Sequence, residues 1–112
     1  WVAAPPPGSR ALAAYMQIHN KGEHDRLLTS VTSVQFEGIQ IHRSGMKNGM
    51  MIMEQVSSIA IPAQGTVELS SRGLHMMLMN PVRYFKAGDT IELDLAFENG
   101  AVLKISVPVK KR

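Results

Sequence analysis

Apolar and polar residues alternate along most of this chain, and no stretch sustains a capped period of 3.6 residues. The cleanest alternation sets Ile91, Leu93, Leu95 and Phe97 against Glu92, Asp94 and Ala96. Asn99-Gly100 is a hairpin signal. The returning strand, Val102 to Val109, sets Leu103, Ile105 and Val107 against Lys104 and Ser106. Earlier, residues 37–43 set Ile39 and Ile41 against Gln40 and His42. Asn48-Gly49 then predicts a two-residue type I′ turn, and Met50 to Val56 is the strand that returns. Residues 11–20 read as one strand, as do 26–34 and 66–70, the last with Val67 and Leu69 inward. Polar turns fall at residues 20–25, 63–65 and 86–89. Pro5-Pro6-Pro7-Gly8 is stiff, so residues 1–10 read as an extended lead-in to a single domain spanning 1–112. Short strands broken by Gly and Pro predict an all-β sandwich or barrel.

One segment departs from the ordinary pattern. Residues 73–81 place one imidazole and three thioethers in five consecutive positions, His75 to Met79. If the segment is extended, Leu74, Met76 and Leu78 share one face and read as core, while His75, Met77 and Met79 share the other. Taken alone, the segment supports two readings. It is a Met-filled core strand, because Met fits irregular gaps, or a set of soft ligands. Seven of the eight methionines lie between residues 46 and 79.

Composition narrows the classes of function. With 112 residues and 45% hydrophobic content, the chain can build a core without staples. The net charge of +3 comes partly from Lys110, Lys111 and Arg112, and the remaining cations are scattered among acids. With aromatics at only 5%, neither a basic stripe nor a stacking platform for nucleic acid is present. No apolar run reaches the length of a membrane span. There is no cysteine, which excludes disulfides, thiol nucleophiles and a blue-copper site. The serines lie in no nucleophile-elbow context, so no hydrolytic role follows.

The hairpin supplies a second group of soft donors. With Asn48-Gly49 as the loop, Lys47 faces Met50, Ser44 faces Met53 and His42 faces Gln55. His42 and Met53 are then diagonal neighbours on one face, about 7–8 Å apart at Cα. The pairs His42 with Met53 and His75 with Met77 would together make a soft four-ligand site. Neutral imidazole and thioether suit Cu(I). Without thiolate the affinity is expected to be lower than a Cys site would give, as a carrier that must release its ion requires.

The spacing of His42, Met53, His75 and Met77 resembles the signature of the periplasmic copper chaperone family called PCu(A)C. The likeness extends over nearly the whole chain. It includes Ala13-Ala14-Tyr15-Met16, Ile61-Pro62-Ala63-Gln64-Gly65-Thr66-Val67-Glu68-Leu69, Gly73-Leu74-His75-Met76-Met77-Leu78-Met79 and Gly88-Asp89-Thr90-Ile91. The resemblance implies a cupredoxin-like Greek-key sandwich binding Cu(I) through those four residues. It implies a periplasmic protein, exported by a signal peptide that this sequence does not include. It also implies delivery of copper to the binuclear site of a cytochrome c oxidase subunit, or to another periplasmic copper protein. A second copper site on a His- and Met-rich tail, found in some relatives, is not expected of a chain closing in Val109-Lys110-Lys111-Arg112.

The other candidates divide. Met51 shares the face of Met53 and His42, so it is a candidate shield or transient ligand, with Met79 as a second shielding candidate. Met46, Met50 and Met76 are expected to pack in the core or its rim. His19 and His24 are expected to be solvated, and Asp25 to serve a turn. The expectation is a monomeric, non-enzymatic Cu(I) carrier. The alternative is a β-sandwich interaction domain with a Met-rich core and no metal. A copper oxidoreductase is disfavoured by the missing cysteine and the soft ligand set.

Overall fold

The computed structural model describes residues 1–5 and 9–111. Among them there is no helix, so none long and apolar enough to cross a membrane. The strands are β1 (Val2–Ala3), β2 (Ala11–Ala14), β3 (Met16–His19), β4 (Arg26–Thr32), β5 (Phe36–Lys47) and β6 (Met50–Val56). They continue with β7 (Ile59–Ile61), β8 (Thr66–Leu69), β9 (Leu74–Pro81), β10 (Thr90–Phe97) and β11 (Val102–Lys110).

Nine strands run in the order β6-β5-β9-β2-β1-β11-β10-β4-β7, and β3 pairs with β8 apart from them. β1 joins the two halves of the long sheet. It pairs parallel to β11 through Val2↔Val109 and antiparallel to β2 through Val2↔Ala14. The sheet folds over so that both halves feed one core. Leu12, Ala14, Ile41, Met76 and Leu78 come from one half, and Leu28, Val31, Ile91, Leu93, Leu95, Val107 and Val109 from the other. This is the all-β architecture that the alternation predicts, because each strand buries one face and wets the other.

Turn chemistry fixes the registers. Asn48 and Gly49 take φ values of 52° and 78°, the left-handed pair that a type I′ turn requires. The β5–β6 register then follows the predicted count: Lys47↔Met50, Ser44↔Met53 and His42↔Gln55. The second hairpin is longer. Glu98, Asn99 and Gly100 lie between the bonded pair Phe97 and Ala101, and Gly100 has φ 86°. Only glycine takes that conformation freely.

Four expectations are corrected. Residues 11–20 do not form one strand. The chain bends at Tyr15, which is buried and exchanges a backbone bond with Trp1, and β3 departs to pair with β8. The first residues are more than a lead-in, since Val2 is fully buried within β1, while Pro6, Pro7 and Gly8 lie outside the described residues. Leu103 is half exposed, although its direct partner Leu95 on β10 is buried in the core. Met46 and Met50 are not packed but exposed, since β9 pairs with β5 only as far as Arg43, short of the end of the β5–β6 hairpin. Met76, by contrast, is fully buried, as expected.

The methionines therefore separate by energetics. Met76→Ala is expected to cost about 2–5 kcal/mol, because it opens a cavity in the core. Met53→Leu, at a position 56% exposed, is expected to change stability by less than about 0.5 kcal/mol. Urea unfolding of the two variants checks this; comparable losses would contradict the assignment of Met76 to the core and Met53 to the surface.

Candidate metal centre

The outer face of the β6-β5-β9 segment carries the soft donors. β5 pairs with β9 so that His42 lies directly opposite His75 and Gln40 opposite Met77. Because side chains alternate, His42, His75 and Met77 all rise from the same face, opposite the one that buries Ile41, Met76 and Leu78. On the other side of β5, Met53 lies opposite Ser44 and so diagonal to His42. The two His/Met pairs read from the sequence thus lie on one face of three adjacent strands, with Met53 and Met77 on either side of β5. The sequence could not supply the β5–β9 pairing, since 32 positions separate His42 from its partner His75.

The two imidazole rings stand 5.9 Å apart between centroids, with planes inclined at 68°. Each is oriented by a hydrogen bond from one ring nitrogen. His42 Nε2–H donates to Gln40 Oε1 at 2.9 Å, and His75 Nδ1–H donates to the Gly73 carbonyl at 3.2 Å. An amide or carbonyl oxygen accepts only, so each bond fixes the tautomer and leaves the other nitrogen with a bare lone pair. In His42 that nitrogen is Nδ1, which is buried and has no hydrogen-bond partner. Orphaned buried polar atoms are rare in native proteins, and a lone pair held this way is what a metal ion would satisfy. Gln40 and Gly73 are the supporting groups that sequence reasoning missed. Gln40 was visible as the residue two before His42 on the same face.

The donors differ in exposure. His75 is 2% exposed, Met77 is half-buried and Met53 is 56% exposed. Ala13 lies opposite Met77 and Ala11 opposite Met79, and these small neighbours leave room around both thioethers. Met79 lies farther along β9, opposite Gly38. Met51 shares the face of Met53 but is 69% exposed. A cleft of ≈ 670 Å³, lined by Trp1, Tyr15, Met16, Gln17, Glu68, Leu69, Ser70 and Ser71, includes neither histidine.

The donor set selects among metals. Among the described residues, no group of three or more His, Cys, Asp or Glu is placed to hold an ion. Hard cations, which need carboxylate or carbonyl oxygens, and thiolate-bound zinc are poorly served. Two imidazoles with thioethers at hand fit a soft monovalent ion such as Cu(I). The remaining histidines have other roles. His19 Nδ1 bonds Thr66 Oγ1 at 2.8 Å on the exposed face of β3, and His24 is exposed in a turn. Asp25 Oδ1 accepts the Ala63 N–H at 2.8 Å, which is turn chemistry.

Comparison with known proteins gives the class and then the family. The fold is that of PCuAC domains. It matches the copper-bound PCuAC domain from PmoF2 with a TM-score of 0.83 at 23% identity, covering 100% of this chain and 88% of that one. The Cu(I) form of DR1885 from Deinococcus radiodurans matches with a TM-score of 0.77 at 34% identity, covering 99% of this chain and 74% of that one. The putative lipoprotein Lxx21020 of Leifsonia xyli subsp. xyli is 34% identical over 111 residues, which are 98% of this chain and 66% of that protein's length. The model of the LpqE-like putative lipoproteins matches residues 1–109. The chain belongs to that family, which is of the PCuAC type.

Burial, and secondarily the neighbouring His75, holds the His42 pKa below the ordinary histidine value. Protonation is therefore easier in the unfolded chain than in the folded one. The stability that neutral His42 contributes is complete above about pH 6.5 and is lost as pH falls through the lowered folded-state value. A ring-resolved NMR titration is expected to place His42 below that value, and His42→Gln is expected to flatten the fall in unfolding free energy below it. Titration of His42 at or above pH 6.5 would contradict this environment.

Proposed function

We propose that this chain is a single-domain Cu(I) carrier that holds its ion with His42, Met53, His75 and Met77. The observation that carries the reading is the pair of opposed, tautomer-fixed imidazoles with the orphaned Nδ1 of His42. The resemblance of the four-residue spacing supports it, as do the copper-bound PCuAC domain and the Cu(I) form of DR1885 among its structural relatives.

The chemistry is ligand exchange and involves no catalysis. Imidazole and thioether are neutral, so the loaded site keeps the ion's single positive charge, which a partly exposed site tolerates better than a dry interior. The buried His75 provides a fixed anchor, while the exposed Met53 provides a ligand that an incoming acceptor can reach. Thioethers need no deprotonation, so uptake and release through them carry no proton. The acceptor is a copper protein outside the cytoplasm, with the binuclear site of a cytochrome c oxidase subunit as the specific candidate. Membership in a family of putative lipoproteins supports that location, and the periplasm is the compartment the resemblance names.

Titration with Cu(I) against a competing chelator tests the reading. One tight equivalent is expected, weakened more than about tenfold by Met53→Leu with Met77→Leu, a loss of about 1.4 kcal/mol or more. The same variant is expected to keep its folding stability in the absence of metal. No binding, or binding unchanged in the double variant, would support instead a plain interaction domain with a Met-rich core.

A further inference from the structure

Three methionines near the end of the β5–β6 hairpin are not accounted for by packing. Met46, Met50 and Met51 are 67%, 69% and 69% exposed. A buried Met side chain stabilises a fold by taking apolar surface out of water, but one left in water contributes almost none of this. Their arrangement is nevertheless well defined. The left-handed Asn48-Gly49 turn sets the register, so Met46 lies directly opposite Met51. Met53 follows two residues on along β6, on the same face and diagonal to Met46. Met50 lies opposite Lys47, on the other face.

The hairpin also reaches beyond the rest of the sheet. β9 pairs with β5 only as far as Arg43↔Leu74, and the last bond from β5 to its surroundings on that side is Ser44 N–H to the Gly73 carbonyl at 3.1 Å. β6 is the edge strand. Among the described pairings, residues 45–52 are therefore bonded only to each other, and the thioethers at the tip are open to another molecule.

We propose that Met46, Met51 and Met53 form a second soft-metal site, a three-thioether station for Cu(I) or Ag(I) on the outer face of the hairpin. The proposal rests on the carrier reading for the identity of the cargo. Met53 belongs to both donor sets. An ion held by His42, His75, Met77 and Met53 reaches the hairpin by exchanging the first three ligands for Met46 and Met51 while Met53 stays bound. The ion remains monovalent throughout, and neutral ligands replace neutral ligands. Three thioethers bind more weakly than a set anchored by two imidazoles, so the ion occupies the tip second on loading and passes through it first on leaving.

Protein labelled with ¹³C at the methionine methyls, titrated with Ag(I) as a redox-silent probe, tests this. The first equivalent is expected to shift the methyls of Met53 and Met77 with the ring signals of His42 and His75. The second is expected to shift Met46 and Met51, to move Met53 again as its single thioether exchanges between the two ions, and to leave Met50 in place. Met46→Leu with Met51→Leu should abolish the second stage and keep the first, whereas Met50→Leu should keep both. Stationary Met46 and Met51 methyls, or Met50 shifting in step with them, would overturn the proposal. A missing first stage with Met46 and Met51 still responding would refute the His/Met carrier site and leave the hairpin site standing.

Discussion

The register between β5 and β9 is the constraint on which the rest of this site depends. It sets His42 opposite His75 and, through the same alternation, sends Ile41, Met76 and Leu78 into the core. A slip of one residue in either strand would put its imidazole into the apolar interior and turn its core residues to water. Folding and the site are thus linked by one pairing: the core residues of β5 and β9 hold the donors in place without taking part in the chemistry. Gly73 reinforces the pairing, since its carbonyl accepts both the Ser44 N–H and the His75 Nδ1–H.

Local alternation was enough to read much of this from the sequence. The β5–β6 hairpin, its turn and its register follow from Asn48-Gly49 and the period of two, because both signals are local. The two faces of β9 follow for the same reason. The bend at Tyr15 was not legible, because residues 14, 16 and 18 keep their alternation while the backbone changes partners there. Nor was β1, a two-residue strand whose value comes from its distant partners Val109 and Ala14. The direct apposition of His42 and His75 depends on a pairing between distant segments that no short-range pattern encodes. The family spacing stood in for that pairing, since it named the same two histidines without giving their geometry.

Exposure was the least legible property of all. A run of methionines reads as core material, and for Met76 that is so, but Met46, Met50 and Met51 stand in water. The difference arises because the hairpin outruns its neighbours, and chain length alone does not reveal where a neighbouring strand stops. The outcome suits a carrier, whose soft donors grade from the buried His75 through half-buried Met77 to the open Met53. Ligands on a packed strand hold their geometry, and ligands at a free edge can be exchanged.

The central claim is that imidazole and thioether converge on one ion. The copper-edge absorption spectrum of the protein loaded with one equivalent of Cu(I) tests this most directly. The account predicts nitrogen and sulfur neighbours together around the copper, with the sulfur contribution falling when Met53 and Met77 are replaced by Leu. A shell of nitrogen and oxygen alone, or one that the substitutions leave unchanged, would contradict it.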